Sequence, residues 1–189
     1  MIRDLVLGNR SYRRFYQEHS IERETLRELV DLARFSGSAS NRQPLKYILT
    51  CEPKKNALVF AHLSWAMALK DWPGPSEGER PSGYITILLD TKIGMAAGCD
   101  HGIAAQSILL GAREKGLGGC MLAAIKKEGL RNDFEIPERY EILLVIALGK
   151  PKEIIKLENM GPDDGFVYWN DAEGVHHVPK RALEDIIIG

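Results

Sequence analysis

Between Asp100 and Lys115 the chain carries Ile103, Ala104, Ala105, Ile108, Leu109, Leu110 and Ala112, so a helix here is apolar or small around nearly its whole circumference. Such a helix is enclosed on most sides, either in the core of its own chain or against a second subunit. Gly116 supplies its C′ stop. A glycine-rich strand end, Leu117 to Leu122, follows directly. The strongest strand signal lies further on at Tyr140 to Leu148, closed by Gly149, Lys150 and Pro151, and a second buried strand reads over Tyr84 to Leu89. Any fold must wrap this helix and these strands into one core.

The remaining elements mix helix and strand without a repeat. Short helices are predicted over Ile2 to Gly8 and Lys126 to Asn132, and longer ones from a Ser20 cap to Phe35 and from Asn56 to Lys70. Asp71 to Gly83, broken by Pro73, Pro75 and Pro81, reads as a surface loop or flap. Beyond Pro151 the chain is polar and turn-rich, with a hairpin of Phe166 to Trp169 and Val175 to Val178 and a last apolar segment, Ala182 to Ile188. At 189 residues, 44% of them hydrophobic, the chain is read as a single domain over residues 1–189, with 152–189 as an extended C-terminal segment.

Charge narrows the function classes. Twenty-five basic residues stand against 26 acidic ones, so there is no broad basic field for nucleic acid. No apolar run reaches membrane-spanning length and the first residues lack a signal-type apolar core, which gives a cytoplasmic expectation without membrane association. Cys51, Cys99 and Cys120 form no Cys-x-x-Cys pair and fit reduced thiols. Cys99 with His101, and His176 with His177, alternate in direction and predict no metal site.

Three constellations carry chemistry. Arg10, Ser11, Arg13 and Arg14 lie within five residues just past a helix end, a donor density that suits a phosphate or, alternatively, a solvated charge cluster. Lys180 and Arg181 offer the same choice near the C-terminus. The loop Ser36 to Thr50 concentrates small and amide side chains between a helix and a strand; Asn41 and Gln43 each donate and accept, which suits the mixed edge of a heterocycle, and an ordinary capped loop is the alternative. Gly116, Gly118 and Gly119 permit close backbone approach to a flat ligand at Met121, Leu122 and Ala123. The Gly-Leu-Gly-Gly spacing is not a dinucleotide fingerprint, and no Gly-x-Ser-x-Gly elbow occurs.

Taken in order, Arg10-Ser11-Tyr12-Arg13-Arg14-Phe15, Ser38-Ala39-Ser40-Asn41-Arg42-Gln43-Pro44, Gly116-Leu117-Gly118-Gly119-Cys120 and Leu148-Gly149-Lys150-Pro151 resemble the landmarks of the nitroreductase family of FMN-dependent NAD(P)H oxidoreductases. The resemblance spans about Ile2 to Pro151. It implies an α+β fold, a central and mostly antiparallel sheet flanked by helices, in an interlocked homodimer with two FMN sites at the subunit interface. It also implies hydride transfer from NADH or NADPH and ping-pong reduction of a small acceptor such as a nitroaromatic or quinone, with no side chain acting as catalytic acid or base. Arg10, Ser11 and Arg13, with Arg14, would hold the FMN phosphate and ribityl chain, and Lys180 or Arg181 would complete the phosphate site. Ser38, Asn41 and Gln43 would reach the flavin from the second subunit, and Met121, Leu122 and Ala123 would lie against its ring. Gly37 and Leu45 depart from the proline and aromatic that many relatives carry, so the acceptor pocket is expected to differ. Candidate lids are the 71–83 loop with Trp72 and Arg80, and the segment holding Phe166, Tyr168 and Trp169. A carrier or sensor that binds FMN without turnover, or a reductive dehalogenase on the same scaffold, is the alternative function.

Overall fold

The structure, a computed structural model, describes residues 1–66, 68–69, 72–161 and 164–189. The predicted end of the third helix at Lys70 and the start of the loop at Asp71 lie outside the described residues.

Five antiparallel strands build the main sheet: β1 (Phe15–Tyr16), β2 (Leu45–Thr50), β3 (Gly83–Asp90), β4 (Gly118–Leu122) and β5 (Tyr140–Pro151). Their order is β1-β5-β3-β2, with β4 also paired to β5. All eight residues of β3 are buried, since it lies between β2 and β5 with both faces covered. Its alternate side chains therefore enter two different cores. Ile85 and Ile87 pack with α2 (Arg23–Arg34) and α4 (Asp100–Glu114), whereas Tyr84 and Leu88 pack with α3 (Pro53–Ala61) and α5 (Lys127–Asp133). The architecture is α+β, as expected.

The enclosed helix is α4. Ala104, Ala105, Ile108, Leu109, Gly111 and Ala112 are buried, and at Gly111 the Leu29 and Leu32 side chains of α2 occupy the space a Cβ would need. Ile103 stays 42% exposed, so the enclosure within one chain is incomplete.

Several boundaries differ from the sequence reading, each for a tertiary reason. Helix α2 begins after Glu22 rather than Ser20, because Ile21 is tucked into the core and keeps the chain extended up to that point. Helix α3 starts at Pro53, a favoured first position, and stops at Ala61. Past it Leu63 bridges Ile125, and the Ser64 N–H donates to the Ala124 carbonyl at 3.0 Å, which holds the chain extended. Strand β5 continues through Gly149 to Pro151, because β1 pairs there, Phe15 opposite Pro151.

The C-terminal region forms a second sheet, β6 (Ile155–Met160), β8 (His176–Arg181) and β7 (Trp169–Asn170), in that spatial order. Antiparallel β7 and β8 correspond to the expected hairpin. The parallel partner β6, polar in sequence, was not expected. Leu183, Ile186, Ile187 and Ile188 beyond it are exposed. No helix among the described residues is long and apolar enough to cross a membrane.

Candidate functional site

The first candidate feature is a basic cavity of about 270 Å³ lined by Asn9, Arg10, Ser11, Arg13, Ile155, Tyr168, His176, Val178 and Lys180. It gathers residues from opposite ends of the chain. Helix α1 (Ile2–Gly8) ends just before it, and the Arg10 guanidinium donates to the Val6 carbonyl at 2.8 Å and the Asn9 carbonyl at 2.6 Å, covering terminal acceptors of that helix. Ser11 forms a bridge with Gly119, and the Tyr12 N–H donates to the Gly119 carbonyl at 3.0 Å, which fixes the arginine segment along the start of β4. Lys180 arrives from β8. Among the described residues Arg10, Arg13 and Lys180 form no side-chain ion pair with a carboxylate, so their charge is available to an anion.

Arg14 points elsewhere. It pairs with Glu79 at 3.7 Å and lies over the Trp72 ring, and neither it nor Arg181 lines the basic cavity. Glu153 accepts from the backbone N–H groups of Arg13 and Arg14; burial pushes its carboxyl up, against those hydrogen bonds and the nearby guanidinium charge.

The tail adds Tyr168, expected only as part of a lid, and His176, weighed in the sequence only as a metal ligand. Arg13 lies 5.0 Å from the centre of the Tyr168 ring, within cation–π range. His176 is only 3% exposed, with Nδ1 2.7 Å from Asn170 Oδ1 and Nε2 buried without a partner among the described residues. Burial first, and the Arg13 charge second, depress its pKa to about 4, so the ring is neutral near pH 7. Adjacent His177 behaves oppositely: hydrogen bonds to Asp171 and Glu158 raise its pKa.

The second feature is the Ser38 to Gln43 loop. Ser40, Asn41 and Gln43 all have φ near +52°, the left-handed region that non-glycine residues avoid. The loop is held there by the buried Asp100 at the start of α4, which accepts from the Ser38 hydroxyl at 2.6 Å and the Ala39 N–H at 3.0 Å. Ser38 Oγ accepts in turn from the Gln43 N–H at 2.9 Å, and Gln43 Nε2 donates to Asn41 Oδ1 at 3.1 Å. Ser38 is thus engaged in bracing, and the exposed Asn41 and Gln43 are what the loop presents outward. Only the position of Asp100, first in an enclosed helix, hinted at its role. The loop borders a cavity of about 300 Å³ that includes Ser36, Ser38, Gln43, Leu45, Tyr47 and Asp100. No lining residue is common to this cavity and the basic one.

Within the glycine run, the space beside Gly118 and Gly119 is already filled by the protein's own chain. A Cβ at Gly118 would stand 2.5 Å from Tyr12 Cδ2, and one at Gly119 would stand 2.5 Å from the Ala147 carbonyl and 2.7 Å from Leu109 Cδ2. The close approach is to the protein's own chain. Past it, Met121 and Ala123 are exposed while Leu122 is buried in the second core, so Met121 and Ala123 offer outward surface.

Comparison with known proteins fits this picture. The sequence model of the nitroreductase family matches residues 6–82 and 91–150. The YodC protein of Bacillus subtilis, whose name carries an inferred NAD(P)H nitroreductase activity, is 25% identical over 177 residues, covering 78% of this chain and 88% of its own. Among solved structures, a nitroreductase family protein of Streptococcus pneumoniae TIGR4 superposes with a TM-score of 0.70 over all of both chains at 15% identity. The FMN-dependent nitroreductase of Clostridium difficile R20291 does so with a TM-score of 0.65 at 21% identity, covering 81% of this chain and 88% of that one. With most of its length matched by the family model and its fold shared, the chain belongs to the nitroreductase family.

Proposed function

We propose that the protein is an FMN-dependent oxidoreductase that takes hydride from NADH or NADPH and reduces a small acceptor such as a nitroaromatic or quinone. The coarser statement, that it is an oxidoreductase of the nitroreductase family, follows from membership. The observation that carries the finer one is the cavity where Arg10, Ser11, Arg13 and Lys180 converge, the three cations having no ion pair with a carboxylate side chain among the described residues. Guanidinium, ammonium and hydroxyl donors around one cavity match a phosphate monoester, so the residues fit that end of FMN. Beside it, Ser11 is bridged to β4, and the exposed Met121 at the end of that strand and Ala123 just past it would lie under the ring system.

The loop at Asn41 and Gln43 does not border the basic cavity of its own chain. We assign it to the site of a second copy, which makes the functional unit a homodimer. Exposed apolar side chains flank the loop: Phe35 is 72% exposed, Met95 94% and Ile103 42%. Burial of this surface against a second copy would complete the enclosure of α4.

FMN, when bound, supplies two-electron chemistry between a nicotinamide and an acceptor that use one pocket in turn. The chain's own residues bind and orient. Arg10, Arg13 and Lys180 neutralise the phosphate, Ser11 offers a hydroxyl to it, and the amides of Asn41 and Gln43 meet the polar edge of the ring from the second copy. Because the left-handed backbone of the loop is locked by Asp100, those amides are set before the ligand arrives. The Trp72 and Arg80 loop and the Phe166 to Trp169 segment remain the proposed covers for the acceptor side.

The test is anaerobic mixing of the FMN-loaded protein with NADH and, separately, NADPH while the visible flavin absorbance is followed. Bleaching by either donor, reversed by a nitroaromatic or quinone, is the expected result. An unchanged spectrum with both donors would show a binder rather than a reductase.

A further inference from the structure

Arg13 and Arg14 are adjacent and chemically identical, yet Arg13 lines the basic cavity and Arg14 does not. Two carboxylates divide them. Glu79 takes the Arg14 guanidinium at 3.7 Å and the Lys152 ammonium at 3.0 Å, on the side of the Trp72 ring. Glu153 forms no side-chain ion pair among the described residues; its Oε1 accepts instead from the backbone N–H groups of Arg13 and Arg14, the second at 3.3 Å. Neither N–H has a backbone partner among the described residues, because both lie before β1, whose pairing with β5 ends at Phe15 and Pro151. One carboxylate oxygen thus satisfies two donors that a strand would otherwise have paired. A carboxylate is a costly acceptor in this place: burial pushes its carboxyl up, and its charge faces that of any anion drawn to Arg13. What it offers in return is a charge-assisted hold on the backbone, roughly twice as strong as a neutral acceptor would give.

We propose that Glu153 is a positioning residue for the phosphate clamp: by fixing the Arg13 and Arg14 backbone it delivers the Arg13 guanidinium to the cavity, and so sets the preference for a phosphorylated ligand over the same ligand without phosphate. The proposal rests on the reading of this cavity as the FMN phosphate site, and it names the residue that arranges the clamp from behind. The surrounding bonds fit the role. The Tyr12 N–H donates to the Gly119 carbonyl and the Phe15 N–H to the Glu79 carbonyl, each at 3.0 Å, so with Glu153 every backbone N–H from Tyr12 to Phe15 is bonded. The segment is left with one setting. In that setting the Arg13 guanidinium lies 3.2 Å from the Ser11 carbonyl and 5.0 Å from the centre of the Tyr168 ring, two other residues of the cavity wall. The fastening is also local to the tail: the Lys152 N–H donates to the Arg14 carbonyl at 3.0 Å, and Ile155, two residues past Glu153, opens β6 and lines the cavity. The chain leaving β5 therefore secures the arginine segment and then builds the opposite wall.

The experiment measures affinity for FMN and for riboflavin, which is FMN without its phosphate, by flavin fluorescence in the wild type, Glu153→Ala, Arg13→Ala and the double variant. The wild type is expected to prefer FMN. Glu153→Ala should weaken FMN binding about tenfold, the worth of roughly one hydrogen bond to a charged group, and leave riboflavin binding unchanged. In the Arg13→Ala background it should weaken FMN binding no further, because it acts through that side chain. Glu153→Gln, which keeps an oxygen acceptor, should retain most of the preference for FMN. Glu153→Asp, shorter by one methylene, should show a smaller loss confined to FMN, and it takes the place of the alanine variant in both comparisons if that variant does not fold. Equal weakening of FMN and riboflavin, or losses that add in the double variant, would overturn the role of Glu153 while leaving the phosphate site standing. No preference for FMN over riboflavin in the wild type would overturn the reading of the cavity itself, and the inference with it.

Discussion

The basic cavity and the Ser38 to Gln43 loop use their polar groups in opposite ways. In the cavity, the Arg13 and Lys180 side chains form no ion pair with a carboxylate and His176 Nε2 has no partner among the described residues. In the loop, Ser38, Gln43 and Asp100 bond one another, and three residues are held in the left-handed region. One region leaves its cations without a carboxylate partner among the described residues; the other uses its donors to fix a backbone. Substitutions in the first should therefore change affinity and leave stability nearly intact, whereas substitutions behind the second should do the reverse.

The largest effect is expected at the brace. Asp100→Ala removes a buried carboxylate that accepts two hydrogen bonds, and should cost about 3 kcal/mol of unfolding free energy, measured by denaturant titration. Stability unchanged to within a few tenths would break the contrast. Gly119→Ala follows, at about 2 kcal/mol, because the new methyl meets the Ala147 carbonyl and Leu109 in a packed interior. Full stability there would mean that β4 can shift, and that the glycine run is free for a ligand after all.

On the open side, Lys180→Ala and Arg10→Ala should each weaken FMN binding about tenfold by fluorescence titration. Lys180→Ala should leave the melting temperature almost unmoved, since its side chain is exposed and has no ion-pair partner among the described residues. Arg10→Ala should lower it slightly through the lost contact with the Val6 carbonyl. Unchanged FMN affinity in both variants would sink the phosphate clamp.

The smallest effects concern pH and separate the neighbouring histidines. His176 has its pKa depressed to about 4 from an ordinary 6.5, so the unfolded chain binds the extra proton and stability falls as pH drops from 6.5 toward 4. His177 has its pKa raised, so its contribution is complete below pH 6.5 and is lost as pH rises through its folded value. His176→Phe should flatten the acid side of the stability profile and His177→Gln the neutral side. Identical profiles for the two variants would contradict the different environments assigned to them.

Much of this was legible in the sequence, and unevenly so. Strand β3, the middle of β5 and the α2-facing side of α4 announced themselves because they are heavily buried, and burial writes itself into composition. The clamp and the amide loop were legible as clusters because their residues adjoin in the chain. Asp100 was not. A carboxylate at a helix start is read as an ordinary favourable end charge, and nothing local shows that it holds a loop some 60 residues upstream. His176 was hidden for a related reason: its partners Asn170, Tyr168 and Arg13 come from β7, from the segment before it and from the far end of the chain. Strand β6 is polar, with pairing set by β8 rather than by its own pattern. Gly118 and Gly119 were read as room for a ligand, because a sequence shows the missing side chain and not the neighbour that fills its place.

The central claim is that the open clamp of one chain and the braced loop of another form one site, and subunit mixing tests it most directly. Arg10→Ala and Asn41→Ala chains, each defective in FMN binding alone, are unfolded together, refolded and titrated with FMN beside each variant refolded by itself. The account predicts that the mixture regains wild-type affinity at one site per heterodimer, where an intact clamp meets an intact loop. No recovery in a mixture shown to contain heterodimers would place both residues in a site built by a single chain and contradict it.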